Sequence, residues 1–394
     1  MSFNSSKFSI LIHYSEIGLK KNNRRYFERL FIRNISSHIF DLKHTRIRLL
    51  SARVFIENIN PDDWSLFKKR LKNVMGLSSA ILMFEAQSQY SDIKSCVDSL
   101  IKDKKFNSFR VTTKRHAKGF KKTSIQTNID LGTHIQNKTK SKVKLSGADL
   151  NIIIEILKDK SYVGCDKIIG FSGLPSRSQE KALSLISSGI DSPVASFEMI
   201  KRGVNLSYVH FHSYPATSKQ SVNNVKELIK ILANYQLETK LYCISLLDIQ
   251  EKIMKIVPDK FWVIFFRRAM IKISNILAFK SKHLALITGD SIGQVASQTI
   301  SNIRAISDAS QLPIIRPLSG LNKDEIINKA KIIGTYESSI KPYQDCCSYF
   351  VPIHPVTKAK LGEVLNLDAK LNLDKEYDKA INKVEEFFIK FTGE

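Results

Sequence analysis

The run Ser184-Leu185-Ile186-Ser187-Ser188-Gly189-Ile190-Asp191-Ser192 joins hydroxyl-bearing, small and acidic residues where an apolar strand pattern gives way to a helical one. A small-residue turn in that position lets consecutive backbone N–H groups converge on an anion, and the helix N-terminus adds partial positive charge. The hydroxyls of Ser187, Ser188 and Ser192 supply further donors. Pro193 suits the first helical turn, where its missing N–H costs nothing. A carboxylate beside a phosphate needs a cation between them, so Asp191 is assigned either to Mg²⁺ or to orienting the loop. The Walker A pattern is absent. A serine-capped helix with no ligand would read the same way locally.

Other segments can meet the same site. Thr288-Gly289-Asp290-Ser291 through Gln298 follows the apolar HLALI, and Arg316-Pro317-Leu318 follows another apolar run. Arg267 and Arg268 lie in a long helical pattern and are candidates to reach a phosphate. The five cysteines form no Cys-x-x-Cys pair, which argues against a disulfide framework or a cysteine-rich zinc site. Cys96, Cys165 and Cys243 have apolar neighbours and read as small buried residues. Only the adjacent pair Cys346-Cys347 stands out.

Charge marks a second kind of site. The net charge of +24 is uneven: residues 1–170 carry 32 lysines and arginines against 15 acidic residues, while the remaining 224 carry 29 against 22. An excess concentrated in one half points to a polyanionic partner there. Arg110, Lys114, Arg115, Lys118, Lys121 and Lys122 form one cluster, with Phe109 and Phe120 nearby. Lys20, Lys21, Arg24 and Arg25 form another. Cations neutralise phosphates and release counterions, and aromatic rings stack on unpaired bases. Phe109 reads better as a core residue.

These residues need a scaffold of more than one domain at 394 residues. The first 165 residues have α+β texture: strand-like FSILIHYS, RVFIEN, SAILMFEA and SFRVTTKR, and helical spacing over Arg25–Ile39 and IKSCVDSLI. The Gly/Ser/Pro-rich FSGLPSRS marks a boundary near 170–178. Beyond it, apolar strands alternate with helices, which predicts a doubly wound parallel sheet with ligands beyond the strands' carboxyl ends. No apolar run reaches the roughly 20 residues of a membrane span, and the N-terminus lacks a signal-peptide pattern. A cytoplasmic protein is expected.

Taken together, SLISSGIDSPVAS, TGDSIGQVASQT, IIRPLSG with NKDEIINKAKIIGTYESS, and DCCSYFVPIHPVTKAK resemble the tRNA 4-thiouridine synthetases, or tRNA sulfurtransferases. The loop is similar to the S-G-G-x-D-S pyrophosphate loop of ATP pyrophosphatases, with Ser188 where that pattern has its first glycine. HYSEIGLKKNNRRYFERLFIRNI resembles the family's ferredoxin-like domain, and SFRVTTKR through SGADLNIIIEI its RNA-binding THUMP domain. The resemblance covers nearly the whole chain. It implies a ferredoxin-like domain over 1–60, a THUMP domain over 61–168 and a PP-loop domain of adenine nucleotide alpha hydrolase type over 178–394.

That resemblance implies ATP contacts at Leu185, Ile186, Ser187 to Ser192, Gly289 and Gln298, and at Arg267, where the family usually has lysine. It implies ATP with Mg²⁺, and adenylation of the C4 oxygen of a tRNA uridine, the eighth in the family. Persulfide-derived sulfur on Cys346 or Cys347 then displaces AMP. The expected form is the short one without a rhodanese domain. Sulfur would come from a cysteine desulfurase or a separate rhodanese. A homodimer and a role in thiamine thiazole synthesis are compatible with the family. Two other readings use the same residues: a non-catalytic tRNA-binding protein with a decayed loop, and another PP-loop RNA-modifying ligase.

Overall fold

The computed structural model describes residues 7–117, 119–342, 350 and 352–393. Cys346, Cys347 and Lys118 lie outside the described residues. The chain divides into two compact units, Met1–Gly173 and Leu174–Glu394. No helix among the described residues is long and apolar enough to cross a membrane.

The first unit is built on a mixed sheet of nine strands: β1 (Phe8–Tyr14), β2 (Arg46–Leu50), β3 (Arg53–Ile59), β4 (Leu77–Gln87), β5 (Ser108–Arg115), β6 (Lys142–Val143), β7 (Leu150–Ile156), β8 (Lys160–Gly164) and β9 (Lys167–Ile169). Their order is β2-β3-β1-β4-β8-β7-β5-β6, with β9 also on β4. Ile10, Leu11 and Ile12 are all fully buried, so β1 is covered on both faces. Helix α1 (Arg24–His38) buries Phe27, Phe31 and Ile35, an i, i+4, i+8 stripe, and α2 (Trp64–Leu71) buries Trp64, Phe67 and Leu71. Helices α3 (Tyr90–Ile101) and α4 (Ser124–Thr139) press Ile93, Val97, Leu131 and Ile135 onto Ile152, Ile154 and Phe109. Phe109 is therefore a core residue, and Phe120 packs beside it.

The sheet's other face gathers Leu11, Phe55 and Met83 with Ile153 and Tyr162. Among them sits the fully buried Glu155 of β7, ringed by Arg53 at 3.1 Å, His13 at 3.3 Å, His116 at 2.7 Å and Lys114 at 3.7 Å. Burial alone would raise this carboxyl; the bond to His13 and the charge of Arg53 outweigh it and hold it down at about 2.

In the second unit, β10 (Lys181–Leu185), β11 (Asn205–His212), β12 (Glu238–Ser245), β13 (Leu286–Ile287) and β14 (Ile314–Ile315) run parallel. An added strand, β15 (Glu385–Lys390), pairs antiparallel with β12, giving the order β14-β13-β10-β11-β12-β15. The doubly wound sheet expected from the alternation is present, with one antiparallel edge that the alternation did not foretell. The remaining helices are α5 (Asp191–Lys201), α6 (Gln220–Gln236), α7 (Leu247–Ile256), α8 (Trp262–Ser281), α9 (Ile300–Ser307), α10 (Lys323–Ile333), α11 (Tyr336–Ser339), α12 (Leu361–Asp368) and α13 (Asp374–Asn382). Helix α8 is apolar on most sides and lies in the core through Phe265, Phe266, Ala269 and Ile273.

From β10 the chain proceeds to β11 on one side, while β13 pairs on the other. The loops leaving β10 and β13 diverge there, which opens a crevice at the strands' carboxyl ends.

Candidate functional site

That crevice holds a cavity of ≈ 540 Å³ lined by Leu185, Ser187, Asp191, Ser192, Arg267, Thr288, Gly289, Asp290 and Gln298, with Lys260, Val263, Ile264 and Met270 as part of its wall. It brings together most of the nucleotide residues expected from the sequence. Ile186, Ser188, Gly189 and Ile190 complete the loop without lining the cavity. Ile186 is buried and tethers the loop: its N–H donates to Val209 O and its carbonyl contacts His210 Nδ1, both at 2.9 Å. Burial pushes the His210 imidazole down to about 4, so the group holding the loop stays neutral.

The loop closes on itself through serines. Ser187 N–H donates to Ser192 Oγ at 2.9 Å, Ser192 Oγ donates to Ser187 O at 3.2 Å, and Gly189 N–H reaches Ser187 Oγ at 3.4 Å. Ser196 Oγ donates to Ser192 O at 2.8 Å and contacts Ser184 Oγ at 2.9 Å, which joins the first turn of α5 to β10. Ser188 and Gly189 are both absent from the positive-φ residues, so a side chain at 188 adds no backbone strain. Ser188 is only 1% exposed, and its Oγ has no hydrogen-bond partner.

Asp191 is gripped from two sides. Lys323 Nζ lies 2.6 Å from its Oδ1, and Gln294 Nε2 donates to its Oδ2 at 2.8 Å. Lys323 opens α10, whose start is fixed by a reciprocal cap between Asn322 and Glu325. Neither Lys323 nor Gln294 was singled out in the sequence; the run Asn322-Lys323-Asp324-Glu325 is a local signal for a helix start, but nothing local ties Lys323 to Asp191.

Asp290 organises the opposite wall. It is 4% exposed and takes Arg267 on Oδ1, Arg316 Nε at 3.1 Å and Thr288 Oγ1 at 2.8 Å on Oδ2. Burial would raise its carboxyl, but the two guanidinium groups and Thr288 lower it below the ordinary range. Gln298 Nε2 also leans on Asp290 at 3.4 Å, and its buried Oε1 is left without a partner. Arg267 is thus at the cavity. Arg268 is not: it is 2% exposed and points the other way, to Ala305 O, Asp308 and Asp368. Adjacent helical residues point about 100° apart, so one arginine faces the site and the next the core.

Among the described residues no cluster of three or more His, Cys, Asp or Glu side chains forms a metal cage. Cys96, Cys165 and Cys243 are free thiols; Cys243 is buried as expected, whereas Cys96 and Cys165 are half-buried. Burial raises all three, Cys243 to about 12, which disfavours thiolate.

In the first unit, the expected RNA-facing cations differ in how they are held. Lys21, Arg25, Lys114, Arg115 and Lys121 are exposed. Arg24 is tied to Glu28 at 2.8 Å and Tyr14 at 2.9 Å, and Lys20 lies over the Phe27 ring. Lys122 pairs with Asp130 at 2.5 Å and stacks on Tyr90, while Arg115 donates to Phe120 O at 3.0 Å and Arg110 to Leu145 O at 3.2 Å. These cations brace the 110–122 segment and the β5–α4 connection.

Residues 177–373 match the family described as thiamine biosynthesis protein (ThiI), residues 9–80 the ThiI ferredoxin-like domain and residues 88–166 the THUMP domain. The probable tRNA sulfurtransferase of Alkaliphilus oremlandii is 37% identical over 382 residues, 95% of this chain and 97% of that one. That of Thermoanaerobacter sp. is 38% identical over 378 residues, covering 96% and 98%. A crystallised 4-thiouridine synthetase–RNA complex with bound ATP superposes with a TM-score of 0.86 at 33% identity, covering 98% of this chain and 100% of that one. PH1313 from Pyrococcus horikoshii shares the fold, with a TM-score of 0.62 at 20% identity over 83% of this chain and 99% of that one.

Proposed function

The chain belongs to the ThiI family of tRNA sulfurtransferases, and from that premise we propose that it uses ATP to adenylate the C4 oxygen of a tRNA uridine and replaces that oxygen with sulfur. A uridine carbonyl is a poor electrophile because oxide leaves badly. Attack of O4 on the α-phosphate expels pyrophosphate and turns the oxygen into part of AMP, a good leaving group. A sulfur nucleophile then displaces AMP from C4 to give 4-thiouridine, by family resemblance at the eighth nucleotide.

The observation that carries this reading is the unfinished polar inventory of the crevice. The Gln298 Oε1 acceptor is buried beside the cavity without a partner, and Ser188 Oγ is unpaired within the loop. A nucleotide placed there supplies donors for the first and phosphate acceptors for the loop's N–H groups. ATP phosphates would lie against Ser187–Ser192 at the start of α5, with Arg267 and Lys323 as counter-charges. Asp191 is the residue that fits Mg²⁺. Lys323 and Gln294 already share its oxygens, so it would offer the ion a single ligand, and the ion would offset phosphate charge as pyrophosphate leaves.

The sulfur carrier is proposed to be Cys346 or Cys347, charged with persulfide by a cysteine desulfurase or a separate rhodanese. The raised thiols of Cys96, Cys165 and Cys243 support that choice. The terminal sulfur bonds C4 as AMP leaves. The thiol of the other cysteine attacks the resulting S–S bond to free 4-thiouridine, and an external thiol reduces the disulfide left behind. The cationic first unit, as ferredoxin-like and THUMP domains over 1–60 and 61–168, would bind tRNA through its backbone and shape, with the PP-loop domain over 178–394. We place the enzyme in the cytoplasm, as a homodimer, and extend the proposal to sulfur supply for thiamine synthesis. Mass spectrometry of tRNA nucleosides after incubation with ATP, Mg²⁺ and sulfide tests the reaction: 4-thiouridine is expected. Its absence under every sulfur supply, with tRNA bound, refutes it.

A further inference from the structure

The nucleotide crevice occupies only the carboxyl end of the second unit's sheet. At the amino end lies a separate cavity of ≈ 450 Å³, where Lys181 opens β10, Lys240 lies near the start of β12, Lys280 and Ser281 close α8, and His283 follows it. Nothing in the adenylation chemistry uses these groups.

Its charge is unbalanced. Lys240 is matched by Glu386 at 3.2 Å, but Lys181 and Lys280 are exposed and have no carboxylate partner among the described residues. The C-terminal carbonyls of α8 would repel an anion, yet they are already occupied. Leu277 O accepts from Ser281 Oγ at 2.5 Å, Ala278 O from His283 N–H at 2.9 Å and Phe279 O from Lys282 N–H at 3.3 Å.

His283 sharpens the chemistry. It is 3% exposed, and its Nδ1 lies 2.7 Å from Ser281 Oγ. The single hydroxyl proton of Ser281 goes to Leu277 O, so Nδ1 carries the proton and donates to Ser281 Oγ. Nε2 then presents a bare lone pair, and it has no partner. Burial, and then the charge of Lys181, lower the imidazole to about 4 and keep that lone pair free at neutral pH. A ligand that satisfies the site must carry negative charge for two lysines and an O–H for Nε2. Inorganic phosphate keeps an O–H throughout the neutral range, and a monoester, which loses its last proton at about pH 6, keeps one in the minor monoanion that this lone pair would select; sulfate and carboxylates keep none.

We propose that this cavity is a second anion site that takes a phosphate group, free or as a monoester, between Lys181 and Lys280, with His283 Nε2 accepting its O–H. This goes beyond the sulfurtransferase reaction and does not depend on it.

Calorimetric titration of the full chain tests it, with the nucleotide crevice first saturated by α,β-methylene ATP. Inorganic phosphate and ribose 5-phosphate are each expected to bind once per chain, with sulfate about tenfold weaker for want of the proton that Nε2 accepts. Tighter binding of ribose 5-phosphate identifies a monoester as the natural occupant, and tighter binding of phosphate identifies the free ion. Lys181→Gln with Lys280→Gln, both on exposed side chains, should abolish the heat without weakening the ATP analogue. Equal affinity for sulfate, binding that survives the double substitution, or no binding of either phosphate at 10 mM (about ten times the ~1 mM dissociation constant of a weak specific site) overturns the proposal.

Discussion

Gly289 and Ser192 are in backbone contact: a Cβ on Gly289 would lie 2.7 Å from the Ser192 nitrogen and 2.8 Å from its Cα. The loop after β13 therefore rests directly on the first turn of α5, and the two walls of the crevice share one fixed edge. Gly289→Ala must push that turn away, because the atoms met are backbone rather than a flexible side chain. Such overpacking costs about 1–3 kcal/mol. We expect a matching loss in urea stability together with roughly 5- to 150-fold weaker ATP binding where that cost falls on the loop, since each 1.4 kcal/mol is tenfold.

Lys323 reaches Asp191 from a helix that is distant in sequence. If its ammonium also meets the charge that develops as pyrophosphate leaves, Lys323→Gln should lower kcat about 100-fold while tRNA affinity stays unchanged. Steady-state kinetics with a parallel tRNA-binding assay separates the two. A change confined to stability would reduce Lys323 to a structural partner of Asp191.

Glu155 offers a test by pH. Its folded carboxyl titrates near 2 against an ordinary value of 4.5. The folded value is depressed, so its contribution is fully present above pH 4.5 and is lost as pH falls toward 2. Glu155→Gln leaves Arg53 without its buried counter-charge, and a cost of about 3–5 kcal/mol at neutral pH is expected. The stability gap between the two proteins should narrow across that acid window in denaturant titrations. A gap independent of pH would mean that the charge on Glu155 contributes nothing.

For the cationic half, exposure separates neighbouring lysines. Lys121 is exposed, whereas Lys122 is held by Asp130 and Tyr90. Lys121→Gln should reduce the slope of log affinity for tRNA against log salt by about 1, the signature of one lost phosphate contact. Lys122→Gln should change the slope less and stability more.

How far the sequence reached depends on the range of the interactions. The strand–loop–helix turn at Ser187–Ser192 was readable because its backbone donors are contiguous in the chain, and the loop does line the crevice. The parallel sheet followed from alternation, and α8 from its long helical pattern. Antiparallel β15 was missed: its residues are mostly exposed at a sheet edge, so little burial shaped a pattern. Arg267 and Arg268 were indistinguishable as text, because the partners that divide them, Asp290 on one side and Asp308 with Asp368 on the other, are fixed only by tertiary packing. Lys323 and Gln294 were missed for the same reason.

Pyrophosphate release in the presence of tRNA and ATP, before any sulfur is added, decides whether the crevice activates the uridine. Release should require tRNA and fall at least about 100-fold in Asp191→Asn, since the loop loses the group that orients it. Release that is absent with bound tRNA, or that continues unchanged in Asp191→Asn, would contradict that role for the crevice.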